Sequence, residues 1–138
     1  YVVMDNEAGM EHLSRRTTRN VDVLLLVTDP TQRGLIAAQH MCEMVPELEI
    51  GVGHVYLIVN RLRGEGSGEA WECGSVGAGT LPTPLAAAVE RTGLELVGMV
   101  PEDPAMAEFE FTGRPLVELP AETAVYRAVR EIAERVVG

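Results

Sequence analysis

Short apolar runs separated by amphipathic segments make up most of the chain. Four of these runs are rich in Val, Leu and Ile and mostly lack alternation with polar residues; they cover Tyr1–Asp5, Asp22–Thr28, His54–Asn60 and Leu94–Val100. Strands that are buried on both faces have this composition, as in a parallel sheet covered by helices. The pattern therefore predicts a parallel sheet of about four strands with helices on both faces.

Three segments between and after these runs have helical spacing. The first begins at Asp29, an N-cap residue followed by Pro30; the second begins at Thr83–Pro84 and stops at Gly93; the third runs from about Ala121 to Val137. Their predicted apolar stripes are Leu35, Ala38, Cys42 and Val45; Leu85, Ala88 and Val89; and Val125, Ala128, Val129, Ile132, Ala133 and Val136. Strands that alternate with helices predict an α/β fold with right-handed crossovers.

A Gly-rich stretch at residues 63–80 interrupts this alternation. Its glycines are Gly64, Gly66, Gly68, Gly74, Gly77 and Gly79. They predict a surface loop with Trp71 and Cys73 in its middle. The chain has no internal repeat, so we expect residues 1–138 to form a single domain.

Composition and charge restrict the function. Hydrophobic residues make up 46% of the 138 residues and aromatic residues 4%, which predicts an aliphatic core. The formal net charge of -10 disfavours the wrapping of nucleic acid, although Arg15, Arg16 and Arg19 form a local basic cluster. Two cysteines make no disulfide framework, and no apolar run has the length of a membrane span. We expect a cytoplasmic protein.

The first apolar run ends in Asp5, which is the first candidate for chemistry. An acid at the carboxyl end of a buried strand points into the crevice where open α/β sheets bind ligands. Gly9 would let the backbone approach a phosphate. The alternative is a strand that ends in a solvated turn. Because the chain opens inside this run, without a lead-in, we expect a fragment or an incomplete gene product.

Two further strand ends carry polar candidates. Asn60 follows the third apolar run, and its amide offers both the donor and the acceptor that adenine requires on one edge. Asn is also a common turn residue, which is the alternative interpretation. After the fourth run, Asp103 is predicted to cap a helix that begins at Pro104.

The order and spacing of these motifs resemble the MinD/ParA-like (SIMIBI class) P-loop ATPases, and within them the CooC-type accessory ATPases that mature carbon monoxide dehydrogenase. The resemblance covers nearly the whole chain and is weakest over residues 63–80. The matching segments are Asp5–Arg15, Val23–Thr31, Arg33–Leu35, Leu57–Arg61, Gly98–Asp103 and Gly113–Leu116.

This resemblance implies a site for ATP and magnesium. It assigns catalytic roles to Asp5, Glu7 and Gly9, with Asp5 holding Mg²⁺ through water. It assigns contacts with the base to Asn60, Arg61, Pro101, Glu102 and Asp103, and it implies that the segment wrapping the base includes Gly113–Leu116. The implied function is an ATP-binding and ATP-hydrolysing accessory protein whose nucleotide state is coupled to homodimerisation and to a metalloenzyme client.

Two features of the family are missing from the sequence. The chain has no GxxxxGK[ST] motif and no Lys at all, so it matches the C-terminal half of a P-loop NTPase (Rossmann-like) domain, from the Walker B strand onward. We therefore expect this chain alone to be inactive as an ATPase. A half-domain also leaves one sheet edge and part of one face uncovered. No CxC pair exists, which leaves Cys73 as a single candidate metal or dimer contact.

Other functions within and beyond this class stay open. A ParA/MinD-type positioning ATPase is one; the last predicted helix lacks a basic polar face, which disfavours membrane binding. A nucleotide-independent interaction module is another. A cobyrinic-acid amide synthase relative would need a glutaminase domain, which the sequence does not contain.

Overall fold

A parallel sheet lies at the centre of the structure, a computed structural model that describes residues 1–6, 20–48, 50–63 and 83–138. Within these residues the sheet has three strands in the order β1-β2-β3. The strands are β1 (Asn20–Thr28), β2 (Gly51–Leu62) and β3 (Glu95–Pro101). Three of the predicted strands are thus confirmed, with ends within a few residues of the predicted ones.

Helices cover both faces of this sheet, as predicted. They are α1 (Gln32–Met44), α2 (Thr83–Thr92), α3 (Pro104–Thr112) and α4 (Ala124–Val137), with short 3-10 helices at Val45–Leu48 and Leu116–Glu118. The last helix begins at Ala124 rather than Ala121, because residues 121–123 form a turn. Gly93 ends α2 with φ 67°, a conformation that favours glycine, and this confirms its predicted role.

The core consists of two aliphatic layers, one on each face of the sheet. Because side chains alternate along a strand, Leu57 and Val59 of β2 point towards α1 and α2, while Ile58 points towards α4. Leu57 and Val59 are both 0% exposed, and Ile58 on the opposite face is 7% exposed, which confirms a strand buried on both faces. The buried members of the first layer are Leu26, Leu35, Ala38, Leu57, Val59 and Val89. Those of the second are Ile58, Val97, Val100, Val125 and Ile132.

The first apolar run does not form the predicted fourth strand. Residues 1–6 belong to no regular element and are exposed, with Tyr1 at 101% and Val3 at 92%. An apolar run becomes a strand only where a neighbouring strand supplies backbone hydrogen bonds and a face to bury it. Among the described residues, no strand pairs with Tyr1–Asp5. The composition of the run alone was therefore not enough to predict a strand.

Within the described residues, part of one sheet face is exposed, which agrees with the expectation for a half-domain. Leu24 and Leu26 pack against the first layer, so Leu25 and Val27 lie on the α4 side of β1, where they are 39% and 59% exposed. Among the described elements, the neighbouring helix α4 packs mainly on β3, and Val129 of its predicted stripe is 51% exposed. Ala133 is exposed as well, so the buried stripe of α4 is narrower than predicted.

A bulge in β3 determines how α4 packs on the sheet. Leu57 pairs with Leu96 and Ile58 with Gly98, so Val97 is an extra residue in β3. The carbonyl oxygen of Val97 accepts a hydrogen bond of 3.0 Å from Arg135 Nη1 of α4. Immediately beyond the bulge, a Cβ on Gly98 would lie 2.2 Å from Ile132 Cγ1. The helix therefore rests directly on the glycine backbone.

Candidate functional site

The carboxyl ends of the three strands meet at one edge of the sheet, because all three strands are parallel. Open α/β sheets bind their ligands at this edge. β1 ends at Thr28, Asn60 lies near the end of β2, and Asp103 follows the end of β3. Glu102 N donates a 3.0 Å hydrogen bond to Leu62 O, which joins the last two of these segments. Asn60 and Asp103 therefore lie at the same edge of the sheet.

The most unusual backbone at this edge is a bulge in β2. Asn60 and Arg61 together face the single residue Val100 of β3. Arg61 adopts φ 56°, a left-handed conformation that is uncommon for a residue other than glycine. Its N–H group donates to Asn60 Oδ1 at 2.9 Å, which helps to hold this conformation. Bulges of this kind occur next to functional sites, where they redirect side chains.

Asn60 keeps hydrogen-bonding capacity after it has made this contact. A carbonyl oxygen has two lone pairs, of which the Arg61 N–H group uses one. Among the residues that the structure describes, nothing accepts a hydrogen bond from the Asn60 amide nitrogen. The side chain can therefore still act as donor and acceptor towards a ligand.

An exposed ion pair closes the edge between β2 and β3. Arg63 Nε donates to Glu102 Oε2, and Arg63 Nη2 lies 3.4 Å from Glu102 Oε1. The hydrogen bond and the charge of Glu102 raise the pKa of Arg63. Both carboxylate oxygens of Glu102 face Arg63. The base contact that the resemblance assigns to Glu102 remains a prediction, as does that of Pro101, the partly buried last residue of β3.

The end of β1 turns tightly into α1. The N-cap of α1 is Thr31, whose side chain accepts a 3.0 Å hydrogen bond from Gly34 N, and not Asp29 as predicted. Asp29 instead accepts from the Thr31 hydroxyl at 2.6 Å. Both residues are suitable caps, and Pro30 between them moved the prediction two residues too early. A Cβ on Gly34 would lie 2.2 Å from Thr28 Oγ1. The sequence analysis missed that Gly34 lies three residues after Thr31, the spacing at which an N-cap side chain accepts a hydrogen bond from a backbone N–H group.

Asp103 caps α3, as predicted. Its Oδ1 atom accepts a 2.9 Å hydrogen bond from Ala105 N, and Pro104 occupies the first turn. The left-handed Gly113, with φ 66°, ends the same helix. The structure thus confirms the cap; a contact of Asp103 with a base remains a prediction.

Of the remaining predicted site residues, Asp5 alone lies within the part of the chain that the structure describes. Asp5 lies in the exposed, irregular segment 1–6. Its predicted role in binding magnesium requires the strand that this segment does not form, and therefore remains a prediction. Glu7, Gly9 and Cys73 lie outside the described residues, as does most of the Gly-rich stretch at residues 63–80.

Two features of the described ranges bear on other functions. They contain no group of three or more His, Cys, Asp or Glu side chains that could hold a metal ion. None of the helices in the same ranges is both long enough and apolar enough to cross a membrane.

The fold is that of one half of a MinD-like P-loop NTPase. The MinD cell division protein of Aquifex aeolicus superposes with a TM-score of 0.63 over 96% of this chain and 49% of its own, at 22% identity. The septum site-determining protein MinD of Pyrococcus horikoshii OT3, complexed with Mg-ADP, gives a TM-score of 0.56 over 83% of this chain and 41% of its own, at 22% identity. The predicted fold class is therefore confirmed.

The similarity in sequence extends along the entire chain. An uncharacterized ATP-binding protein of Methanocaldococcus jannaschii is 36% identical over 138 residues, which are 100% of this chain and 49% of that protein. The chain thus spans about half the length of this curated relative. No protein-family model matches the chain. These similarities support the predicted resemblance to MinD/ParA-like ATPases. They do not show the narrower resemblance to CooC-type ATPases.

Proposed function

We propose that this chain forms the base-binding side of an adenine nucleotide site in a MinD/ParA-type ATPase. The observation that carries the proposal is the bulge of Asn60 and the left-handed Arg61 at the carboxyl end of the central strand. A strained backbone at this edge costs stability and is retained mainly where function requires it. The similarity to an ATP-binding protein over the full chain points to the ligand.

Asn60 would recognise adenine through its amide. The base presents an acceptor, N7, and a donor, the N6 amino group, on one edge. The amide nitrogen of Asn60 is available to donate to the first, and the second lone pair of its oxygen can accept from the other. Guanine presents two acceptors at the same positions, so this arrangement favours adenine.

The sequence of this chain contains no motif for binding the phosphates of the nucleotide. Phosphoryl transfer depends on the positioning of the phosphates and on stabilisation of their charge, which P-loop proteins supply from a Gly-rich loop, its helix N-terminus and Lys. The chain contains neither that motif nor any Lys. We therefore propose that it hydrolyses ATP negligibly by itself. In the whole protein, Mg²⁺ would be held near the phosphates, with Asp5 as its ligand through water.

We propose the specific role of the protein within this class from its resemblance to CooC-type ATPases alone. In that proposal, nucleotide state controls homodimerisation and the maturation of a metalloenzyme client of the carbon monoxide dehydrogenase kind. A ParA/MinD-type positioning ATPase is the alternative within the class. The uncovered apolar face at Leu25 and Val27 favours a second candidate from a different class, an interaction module that needs no nucleotide.

Substitution of Asn60 tests the recognition of the base. Asn60→Asp keeps the acceptor for the Arg61 N–H group and removes the amide donor, whereas Asn60→Ala removes both. We expect Asn60→Asp to bind adenosine about 5-fold more weakly, the equivalent of one hydrogen bond, and Asn60→Ala, which loses both contacts with the base, about 25-fold more weakly. The measurement is an NMR chemical-shift titration of the 138-residue chain. Adenosine is the probe because it carries no phosphate that the new carboxylate would repel.

Asn20→Asp is the matched control, since Asn20 is the exposed first residue of β1 at the opposite edge. It adds the same charge and should leave adenosine binding unchanged. Guanosine should bind more weakly than adenosine to the unsubstituted chain. Equal adenosine affinity in the Asn60 variants and in the Asn20→Asp control would reject the role of Asn60.

A further inference from the structure

The carboxylate of Asp103 contacts two helices and not one. Its Oδ1 atom accepts from Ala105 N of α3, and its Oδ2 atom accepts a 3.3 Å hydrogen bond from Val125 N, in the first turn of α4. The two amide groups are 20 residues apart in the sequence (125 − 105), and each belongs to the unpaired amino end of a helix.

The second helix depends on this contact because its own N-cap supplies none. Thr123 precedes α4, but its side chain makes no capping hydrogen bond. The Thr123 hydroxyl donates instead to Pro120 O at 2.7 Å. A carboxylate near a helix amino end both satisfies an N–H group and interacts favourably with the helix dipole. Asp103 therefore caps the amino end of α4, which the side chain of Thr123 leaves uncapped.

We infer that Asp103 is a positioning residue, whose single carboxylate fixes the amino ends of α3 and α4 at the carboxyl end of β3. The segment between these helices, residues 113–123, is held at its far end by the same contact. This segment includes Gly113–Leu116, which the sequence resemblance places against the base. In this assignment Asp103 acts on the base through the segment, and its carboxylate is not itself a ligand. The effect on nucleotide rests on the proposed function; the double cap does not.

Three substitutions separate the two halves of this contact. A Ser side chain at position 103 can cap α3 but is too short to reach α4 as well, so Asp103→Ser should release α4 alone. Asp103→Ala should release both helices. Asp103→Asn retains the size and one acceptor oxygen, and should keep the shorter bond to α3. Because three variants are available, failure of one to fold still leaves the inference testable.

Amide hydrogen exchange in the 138-residue chain measures the release. In Asp103→Ser and Asp103→Asn, the amides of the first turn of α4 should exchange about 5-fold faster, while those of α3 keep their rate. Both sets should accelerate in Asp103→Ala. Thr31→Ala is the control, because Thr31 caps α1 alone and its loss should accelerate only α1. Unchanged exchange at the start of α4 in Asp103→Ser and Asp103→Asn would overturn the inference.

Adenosine binding then separates positioning from stability. Asp103→Ser should weaken adenosine binding several-fold, whereas Ile132→Val, which removes a methyl group from the far part of α4, should not. If exchange follows the expected pattern and adenosine perturbs no residue in the unsubstituted chain, the double cap stands and the proposed function fails. If adenosine binds and Asp103→Ser matches Ile132→Val in affinity, Asp103 does not position the base side.

Discussion

Replacing Gly98 with Ala will lower the free energy of unfolding by about 2 to 3 kcal/mol, because the site has no room for a methyl group. The added Cβ would lie 2.2 Å from Ile132 Cγ1 and 2.6 Å from Ile132 Cδ1. Helix α4 must then move away from β3, and the hydrogen bond from Arg135 to Val97 O is strained with it. Urea denaturation followed by circular dichroism measures the change.

A second substitution in the partner residue tests the cause. Ile132→Ala alone leaves a cavity and should cost about 3 kcal/mol. Combined with Gly98→Ala, it removes the clashing atoms, so the double variant should be at least about 1 kcal/mol more stable than the sum of the single effects predicts. Gly98→Ala combined with Leu35→Ala, a change in the other core layer, should be additive. Additive behaviour of both pairs would mean that the contact of α4 with Gly98 is not close.

Once a phosphate-binding half is restored, Asp5→Ala will lower the rate of ATP hydrolysis by about 100-fold or more. The resemblance makes Asp5 the acid that orders the Mg²⁺ shell, and a metal ion bridging the phosphates supplies several kcal/mol of charge stabilisation in the transition state. A suitable protein is the M. jannaschii relative with its matching 138 residues replaced by this chain. The measurement is kcat for phosphate release with saturating Mg-ATP.

The matched control for this experiment is Asp22→Ala. Asp22 is an exposed acid near the start of β1, at the edge of the sheet away from the site. Its loss changes the net charge by the same amount and should leave kcat within about 2-fold, because exposed charges this far away are largely screened. Full activity of the Asp5→Ala protein would show that Asp5 has no catalytic role.

The sequence predicted those parts of the fold that local pattern determines. Strands β2 and β3 were predictable because a strand buried on both faces must be apolar throughout. Helix ends at Gly93 and Asp103 were predictable because their chemistry is local. The same reasoning failed for Tyr1–Asp5, which has the composition of a core strand. Whether such a run pairs depends on a neighbouring strand, which its own composition does not specify.

Apart from the local N-cap at Thr31, the missed features of the site depend on contacts between distant residues. The bulge at Asn60 and Arg61 results from the register between β2 and β3, and no residue type in this run predicts it. The second contact of Asp103 joins residues 22 positions apart. Even the exposure of Val129 follows from how far α4 extends over the sheet rather than from helical periodicity. Sequence reasoning therefore identified the edge of the sheet and not its detailed geometry.

Titration of the 138-residue chain with Mg-ATP, followed residue by residue by NMR, tests the central claim most directly. We predict shift changes at Asn60–Leu62 and at Pro101–Asp103, with a dissociation constant around 1 mM, because contacts with the base alone contribute about 4 kcal/mol. Micromolar affinity would mean that the chain contains a phosphate site of its own. Shift changes confined to the opposite edge, at Gly51 and Glu95, or none at all, would contradict the assignment of this edge as the base-binding side.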